Sequence, residues 1–442
     1  MLHKRSFTYL LGTQTMSNAA DVIYIMALVS LVLKGTDSII SAILVPLIRV
    51  GVQMVSGFLA PLLMVRYQLP AILFISQLGQ LILFLVLASY LLLVDGDPSW
   101  LLVFGLVAGM SFFDGWTTPA RNALIPRLAS GDALMRANSL VSISDQIVQF
   151  AGWGLSGVLV AMLGDRTLLL AGLLYLLAMV FTSLIRDPHE AEHYLVSLRT
   201  RVADLTTLED EIPLQQDHGA RASAEGEAAA DGKTKWQILR EGWGIIGSTP
   251  KLVSLVFMDM IDMLGSSVWV GAFTLAFAEQ VLHRGEEWWG FINAAYFAGA
   301  VGGGLIVYAI VDRVKGRLAY AMIGGMAGYG ILTALYAVNA QPFLTLAIVL
   351  LMGPAAELAA VSRRTLVQQS ASAQDLPKVL AAQSTLINFA FCVSLILMGW
   401  IADRFGIVNL YLFAAAMTGV AVVVGLLFRK SLAAGSLEQV NS

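Results

Sequence analysis

The sequence predicts an all-α membrane protein: twelve transmembrane helices in two pseudo-symmetric six-helix bundles, with both termini on the cytoplasmic side. Three observations carry that prediction. The chain has too few charged residues to clothe a water-exposed surface. Its apolar runs have the length of a bilayer crossing. Its two halves repeat the same polar landmarks in the same order.

Apolar residues fill 57% of the 442 positions and charged residues only 13%, with a mean hydropathy of +0.76. Soluble domains carry about 25% charged residues. A net charge of −3 gives no reason to expect a nucleic-acid partner. The single cysteine, Cys392, allows no intrachain disulfide and makes no cysteine-ligated metal site; lying in an apolar run, it is expected to pack. Neither a Walker loop nor an HExxH or GxSxG pattern occurs, so ATP hydrolysis and proteolysis have no support. No enzyme activity, cofactor or metal is expected.

A helix crosses roughly 30 Å of hydrocarbon in about 20 residues. Runs of that kind fall at 7–33, 39–64, 69–94, 99–120, 138–163 and 167–185. After a polar stretch they resume at 252–280, 288–311, 318–338, 342–361, 380–402 and 406–428. The first run follows His3, Lys4 and Arg5, as in a signal peptide, but it continues to Leu33 and is crossed by Gln14, Asn18 and Asp21, which marks a span. Glycine and proline inside the runs are tolerated where neighbouring helices satisfy the freed backbone groups.

Basic residues orient the set. With the N-terminus inside, the inner loops and helix ends hold Lys4, Arg5, Arg66, Arg121, Arg127, Arg136, Arg313, Lys315, Arg317, Arg363, Arg364, Lys378, Arg429 and Lys430. The outer loops hold only Lys34, Arg166, Arg284 and Arg404. This is the inner excess of lysine and arginine that sets membrane topology, and an even number of spans preserves it.

Residues 1–188 and 251–442 then form the two bundles, joined by a cytoplasmic linker over 189–250 that is expected to be partly disordered. From Glu209 to Lys233 the linker has almost no large apolar side chain with which to pack. Its flanks, Ala191 to Leu208 and Lys235 to Ile246, have the apolar periodicity of short helices on the membrane face.

The halves echo each other across this linker. Asn18 and Asp21 in the first span match Asp259 and Asp262 in the seventh at the same separation. Near the end of the fourth span Asp114 is followed by Arg121-Asn-Ala-Leu-Ile; near the end of the tenth, Glu357 is followed by Arg363-Arg-Thr-Leu-Val. Ala137-Asn-Ser-Leu opens the fifth span as Ala382-Gln-Ser-Thr-Leu opens the eleventh. Parallel repeats of this kind place a binding site between them near the midplane.

Gln14, Asn18 and Asp21 lie at i, i+4 and i+7, on one face of a helix. An ionised carboxylate near the bilayer centre costs about 2.5–3.5 kcal/mol on the insertion scale. Asp21 must therefore face protein or water, and Arg49 in the second span is its expected partner, serving either a substrate or ion pathway or only the joining of two helices. Asp259, Asp262 and Ser266 form a similar stripe, where two acids one turn apart repel and so favour a proton or another cation. Asp145 and Gln149 share a face with Gly152 and Ser156 and are expected to line the inner half of the cavity. Asp114, Arg121, Glu357 and Arg363, read as lying near inner helix ends, suit gate ion pairs that form in one state and break in the other, or solvated end charges. Gly152-Trp-Gly154-Leu-Ser-Gly157 has the spacing of a dinucleotide fingerprint, but inside a transmembrane helix it reads as close helix packing. Aromatic residues, Trp116, Trp153, Trp269, Tyr24, Tyr296 and Phe297 among them, are read as packing and interface anchors, with none assigned to a ligand.

Pro119-Ala-Arg121-Asn-Ala-Leu-Ile-Pro126, followed by Ala137-Asn138-Ser-Leu, resembles the signature of the major facilitator superfamily, in the bacterial branch that holds macrolide-efflux proteins and the enterobactin exporter. Ser17-Asn-Ala-Ala-Asp21-Val-Ile-Tyr24, with Ala27-Leu28, is similar to that branch's opening pattern. The resemblance implies a major facilitator fold and a gating charge cluster at Asp312-Arg313-Val-Lys-Gly316-Arg317, with Asp312 and Arg313 as gating residues. The corresponding first-half loop, Met64-Val65-Arg66-Tyr67-Gln-Leu-Pro70, lacks the superfamily's aspartate. The Gly152–Gly157 stretch falls where superfamily antiporters carry a motif, here without its proline. The resemblance implies a monomer in the lipid bilayer of a bacterial cytoplasmic membrane. Its expected function is to export amphipathic or lipophilic small molecules, drug- or siderophore-like, by alternating access in exchange for protons or another cation. Movement of a lysolipid, polar solute or metal chelate, and a sensor that binds without transporting, are the alternatives left open. Arg49, read as the one deep basic residue, argues against an anionic solute.

Overall fold

The computed structural model describes residues 3–36, 39–94, 97–163, 167–189, 194, 234–269 and 271–433. The disorder expected at 209–233 and, Tyr194 apart, the helix expected at 191–208 lie outside the described residues. The first seven helices are α1 (Lys4–Thr36), α2 (Ile39–Met64), α3 (Leu69–Leu93), α4 (Trp100–Asp114), α5 (Thr117–Leu128), α6 (Asp132–Leu163) and α7 (Thr167–Ser183). They are followed by α8 (Lys235–Ser248), α9 (Pro250–Ser266), α10 (Gly271–Gln280), α11 (Glu286–Val314) and α12 (Leu318–Val338). The last four are α13 (Pro342–Gln368), α14 (Leu376–Phe405), α15 (Ile407–Leu427) and α16 (Arg429–Ala433). Single 3₁₀ turns stand at Ser267–Trp269 and Lys315–Arg317.

Hydrocarbon offers no partner to a backbone amide, so chain inside it coils into helices that satisfy themselves. Proline starts α3, α9 and α13 in the first turn, where a missing N–H costs nothing. Among the described residues, eight helical stretches are long and apolar enough to cross a membrane, one of which, Trp288–Val338, holds both α11 and α12. Large apolar side chains stand open on their outer faces, Leu101 at 84% exposure and Ile396 at 77%, as lipid contact allows and water would not.

Two expected spans are interrupted. The run at 99–120 is α4 and α5, parted at Gly115 and Trp116. A side chain at Gly115 would meet Ser56 of α2 at 2.7 Å and the carbonyl of Gln53 at 2.9 Å, so the break sits where α4 presses on α2. The run at 252–280 is α9 and α10, parted by the 3₁₀ turn.

The helices gather into two compact units: Met1–Ser130, Ser156–Gly244 and Ala373–Ser384 in one, Gly131–Leu155, Ile245–Ser372 and Thr385–Ser442 in the other. In the first unit α1 packs on α7, α2 on α4, and α3 on both α4 and α7. In the second, α9 packs on α15, α11 on α13, and α12 on both α13 and α15. The two schemes are the same taken in chain order, which is how the sequence repeat expresses itself in packing.

Ala20, Tyr24, Leu28, Phe84, Val107 and Tyr175 lie in the first unit's core; Val268, Phe277, Tyr336, Met352 and Tyr411 lie in the second's. Between lipid-solvated helices, shape and polar bonds must supply the attraction that water exclusion supplies elsewhere. The α11–α13 contact meets this with bare backbone. Gly299 and Gly353 are so close that a Cβ on either would enter the other helix's main chain, and Gly303 faces Pro354 one turn on.

Candidate functional site

Asp21 lies midway along α1 and Arg49 near the middle of α2. Their side chains pair at 2.7 Å, and the other acceptor of the same Arg49 nitrogen is Asp114, at 2.9 Å. Asp114 was expected near an inner helix end. It is the last residue of α4, at the Gly115 break inside the apolar stretch from Trp100 to Leu128. Gln53, one turn beyond Arg49, donates its amide to Asp114 at 2.6 Å, and the Tyr175 hydroxyl on α7 donates to Asp21. Two carboxylates and one guanidinium, with Gln53 and Tyr175 as donors, thus meet within the first unit. Gln14 is buried and Asn18 half-buried on the same helix, and Ser17 between them accepts from Gln77 of α3 at 3.1 Å.

In the second unit Arg363 does for α9 what Arg49 does for α1. It reaches Asp259 at 2.6 Å and Asp262 at 3.3 Å. Read from sequence, the two acids repel each other and Arg363 belongs to the gate. In the structure α13 runs to Gln368 and lays the long arginine side chain between the two acids, in contact with each. Arg363, like Arg49 in the other unit, is thus a half-buried guanidinium paired with two acids. Thr418 of α15 donates to Asp262 at 2.9 Å, as Tyr175 does to Asp21. Above this cluster the ring of Trp269 sits among Tyr296, Tyr329, Tyr336 and Tyr411.

Glu357 is buried midway along α13, not at a helix end, and accepts hydrogen bonds from neutral groups. It accepts from the hydroxyl of Ser142 and, at 2.8 Å, from the amide of Gln146. One turn earlier on α6, Asn138 donates to Thr365 at 2.9 Å and Gln368 at 2.6 Å. The face of α6 that grips α13 is therefore Asn138–Ser142–Gln146, beside the Asp145 and Gln149 face expected from sequence; both of those are half-buried. Ser156, read with them, has a side chain outside the described residues.

The remaining expected gate residues divide. Arg121 is buried on α5 and donates to Asn122 at 3.4 Å. Asp312 is exposed and pairs with Arg136 at 2.7 Å and Lys315 at 3.4 Å, while Arg313 beside it is exposed. Tyr175, Thr418, Gln53, Ser142 and Gln146 were not singled out from sequence. For Tyr175 and Thr418 a signal existed: Ala171-x-x-x-Tyr175-x-x-Ala178 and Ala414-x-x-x-Thr418-x-x-Ala421 are the same pattern on α7 and α15.

Long apolar helices with ion-paired side chains buried midway along them define a membrane transporter rather than an enzyme. Residues 10–318 match the family model of the Major Facilitator Superfamily, more than half of the chain, and the protein belongs to that superfamily. It is similar to the uncharacterized MFS-type transporter YfmI of Bacillus subtilis (strain 168), 32% identical over 422 residues that cover 95% of this chain and 96% of that one. Its fold is shared with the human organic anion transporter MFSD10 (TETRAN) at a TM-score of 0.68 and 13% identity, over 96% of this chain and 99% of that one. It is shared also with a bacterial homologue of the iron transporter ferroportin in an outward-facing state, at a TM-score of 0.66 and 15% identity, over 97% of this chain and 100% of that one.

Proposed function

We propose that this protein is a secondary active exporter of amphipathic or lipophilic small molecules, working by alternating access and exchanging its substrate for protons. One observation carries the reading: each unit sets two carboxylates, one buried and one half-buried, against one guanidinium. Each cluster therefore holds one negative charge in excess, in surroundings where an unpaired charge is costly. A proton or a cationic group neutralises that excess, and a site that must take one or the other couples the two flows.

In this reading the chain crosses the cytoplasmic membrane of a bacterium twelve times as a monomer, in two six-helix bundles with both termini and the 189–250 linker inside. The distribution of lysine and arginine over the loops supports that orientation. Export rather than uptake is supported by the likeness of Pro119–Pro126 and Ala137–Leu140 to macrolide-efflux proteins and the enterobactin exporter. Gln14, Asn18, Asp21, Arg49, Asp145, Gln149, Asp259 and Asp262 serve the substrate and ion pathway; Asp114, Arg121, Asp312, Arg313, Glu357 and Arg363 bias the two access states. MFSD10 carries organic anions, but an excess of negative charge in both clusters disfavours an anionic substrate here.

The test is transport in inverted membrane vesicles. An imposed pH gradient, interior acid, is expected to drive accumulation of a lipophilic dye, and adding the dye is expected to release protons from the lumen. Dye uptake that ignores the gradient would reject proton exchange, and no protein-dependent uptake would reject export.

A further inference from the structure

We propose that the first unit holds a site for ordered water between α1 and α3, walled by Ser17, Ser76, Gln77 and Gln80, and that this water joins the polar contacts of α1 into one hydrogen-bonded track ending at Asp21. The inference stands apart from the transport reading above.

The buried face of α1 carries a polar residue at every fourth position: Thr13, Ser17 and Asp21. Each is bonded to a side chain of a neighbouring helix. The Thr182 hydroxyl of α7 donates to Thr13 at 3.1 Å, the Gln77 amide of α3 donates to Ser17 at 3.1 Å, and the Tyr175 hydroxyl of α7 donates to Asp21. Four residues rise about 6 Å along a helix, so successive bonded pairs stand about two hydrogen-bond lengths apart. One water bridges such a gap.

The atoms that hold a water at the level of Ser17 are on α3. Ser76, Gln77 and Gln80 share one face of that helix, and none is more than 1% exposed. Among the described residues, the hydroxyl of Ser76, the amide oxygen of Gln77 and the amide nitrogen of Gln80 are covered and have no hydrogen-bond partner. The Gln77 nitrogen is committed to Ser17, which sets the oxygen of the same planar group beside α1. Buried polar groups left without a side-chain or backbone partner are satisfied in folded proteins by ordered water.

The chemistry of the set selects the ligand. Gln80 offers a donor, Gln77 an acceptor, and the hydroxyls of Ser76 and Ser17 serve as either. A cation uses acceptors alone and an anion donors alone, whereas water both donates and accepts. Coverage this complete leaves no opening for a bulkier neutral molecule. One turn past Gln80 the ring of Phe84 meets those of Tyr24 and Tyr175 at 5.9 and 5.3 Å, so the site ends against the aromatic residues beside Asp21. The charges shared by Asp21, Arg49 and Asp114 then meet polar bonds on the α3 side as well as each other.

Pulsed X-ray generation of hydroxyl radicals, read by mass spectrometry, detects such water in the full-length protein in lipid nanodiscs, because a covered side chain is oxidised only by a radical formed beside it. Phe84 is expected to be oxidised, whereas Phe277, equally covered in the second unit's core, is expected to stay unlabelled. Gln80→Leu is expected to lose the Phe84 label and to lower the thermal unfolding midpoint, since the water loses a donor while Ser76 and Gln77 stay polar. In a dry site the same variant removes an unpaired amide and raises the midpoint. If Gln80→Leu does not fold, Ser76→Ala decides on the label alone, with the same expected loss. An unlabelled Phe84 in the native protein, equal labelling of Phe277, a label retained in a folded variant, or a raised midpoint in Gln80→Leu would overturn the proposal.

Discussion

Thr418 donates its hydroxyl to Asp262 across 2.9 Å, from the place on α15 that Tyr175 holds on α7 beside Asp21. The two hydroxyl residues are 243 positions apart in the chain, as are the alanines that flank them, Ala171 and Ala414, Ala178 and Ala421. In each unit the last helix of the packing scheme thus holds the acid of the first. What differs is the rest of each acid's shell. Arg49 stands between Asp21 and Asp114 at nearly equal distances, and Arg363 leans to Asp259.

That difference sets the ranking of two substitutions. Tyr175→Phe removes a donor from a buried carboxylate and is expected to cost about 1–3 kcal/mol, the penalty for leaving a buried acceptor short of a partner. Thr418→Val keeps the shape and leaves Asp262 more open to solvent or to Arg363, so its cost is expected to be smaller. Thermal unfolding midpoints of the two variants in detergent check the order, and equal midpoints contradict it.

Arg49→Met leaves the buried Asp21 and the half-buried Asp114 without their cation. Breaking a buried pair costs about 3–5 kcal/mol, since the remaining charge stays uncompensated. A combined Arg49→Met, Asp21→Asn, Asp114→Asn protein removes the charges together and is expected to recover most of the lost stability while remaining inactive in transport. A triple variant no more stable than Arg49→Met would mean that the guanidinium packs rather than pairs.

The Asp21–Arg49 pair was legible in the sequence because a charge deep in a span must find its opposite, and Arg49 was the near candidate. Asp114 as a second acceptor was not, since its span reads as ending where α5 in fact resumes after Gly115. The pairing of Arg363 was hidden for a similar reason: a residue expected beyond the end of a span lies on α13, and a guanidinium carries its charge well away from its own Cα. The polar stripe Asn138–Ser142–Gln146 was present at helical spacing, but Asp145 and Gln149 drew attention as the stronger polar residues. The order of helices and the internal repeat were legible because apolar length and repeated landmarks are local properties. The sharing of one arginine between two acids is a property of three helices at once.

The bare contact between α11 and α13 yields a prediction about folding alone. Gly353→Val places a branched side chain where Gly299 and Ala300 leave no space, whereas Gly302 has nothing within 4 Å of where its Cβ would lie. Overpacking of this kind costs about 1–3 kcal/mol or more when backbone must move. Gly353→Val is therefore expected to reduce the yield of monodisperse protein sharply, and Gly302→Val to leave it unchanged. Size-exclusion profiles of the two variants, expressed alike, decide; similar profiles would show that the helices separate easily.

The coupling reading makes the last prediction. A proton-exchanging carboxylate must be able to lose its charge without losing its place in the fold. Substitution at Asp21 disturbs a shared pairing instead, since Arg49 at 2.7 Å and the Tyr175 hydroxyl both bind its carboxylate. Asp262 has the longer ion-pair contact and the larger exposure. Asp262→Asn mimics the protonated acid, keeps an acceptor for Thr418, and leaves Arg363 paired with Asp259. It is expected to abolish dye accumulation driven by a pH gradient in inverted vesicles while preserving downhill exchange of dye between the two sides. Asp21→Asn is expected instead to lower the unfolding midpoint, because Arg49 keeps only Asp114. Gradient-driven accumulation by Asp262→Asn would show that the exchanged proton sits elsewhere. Glu357, held by Ser142 and Gln146 with neutral bonds, would then be the carboxylate to substitute next.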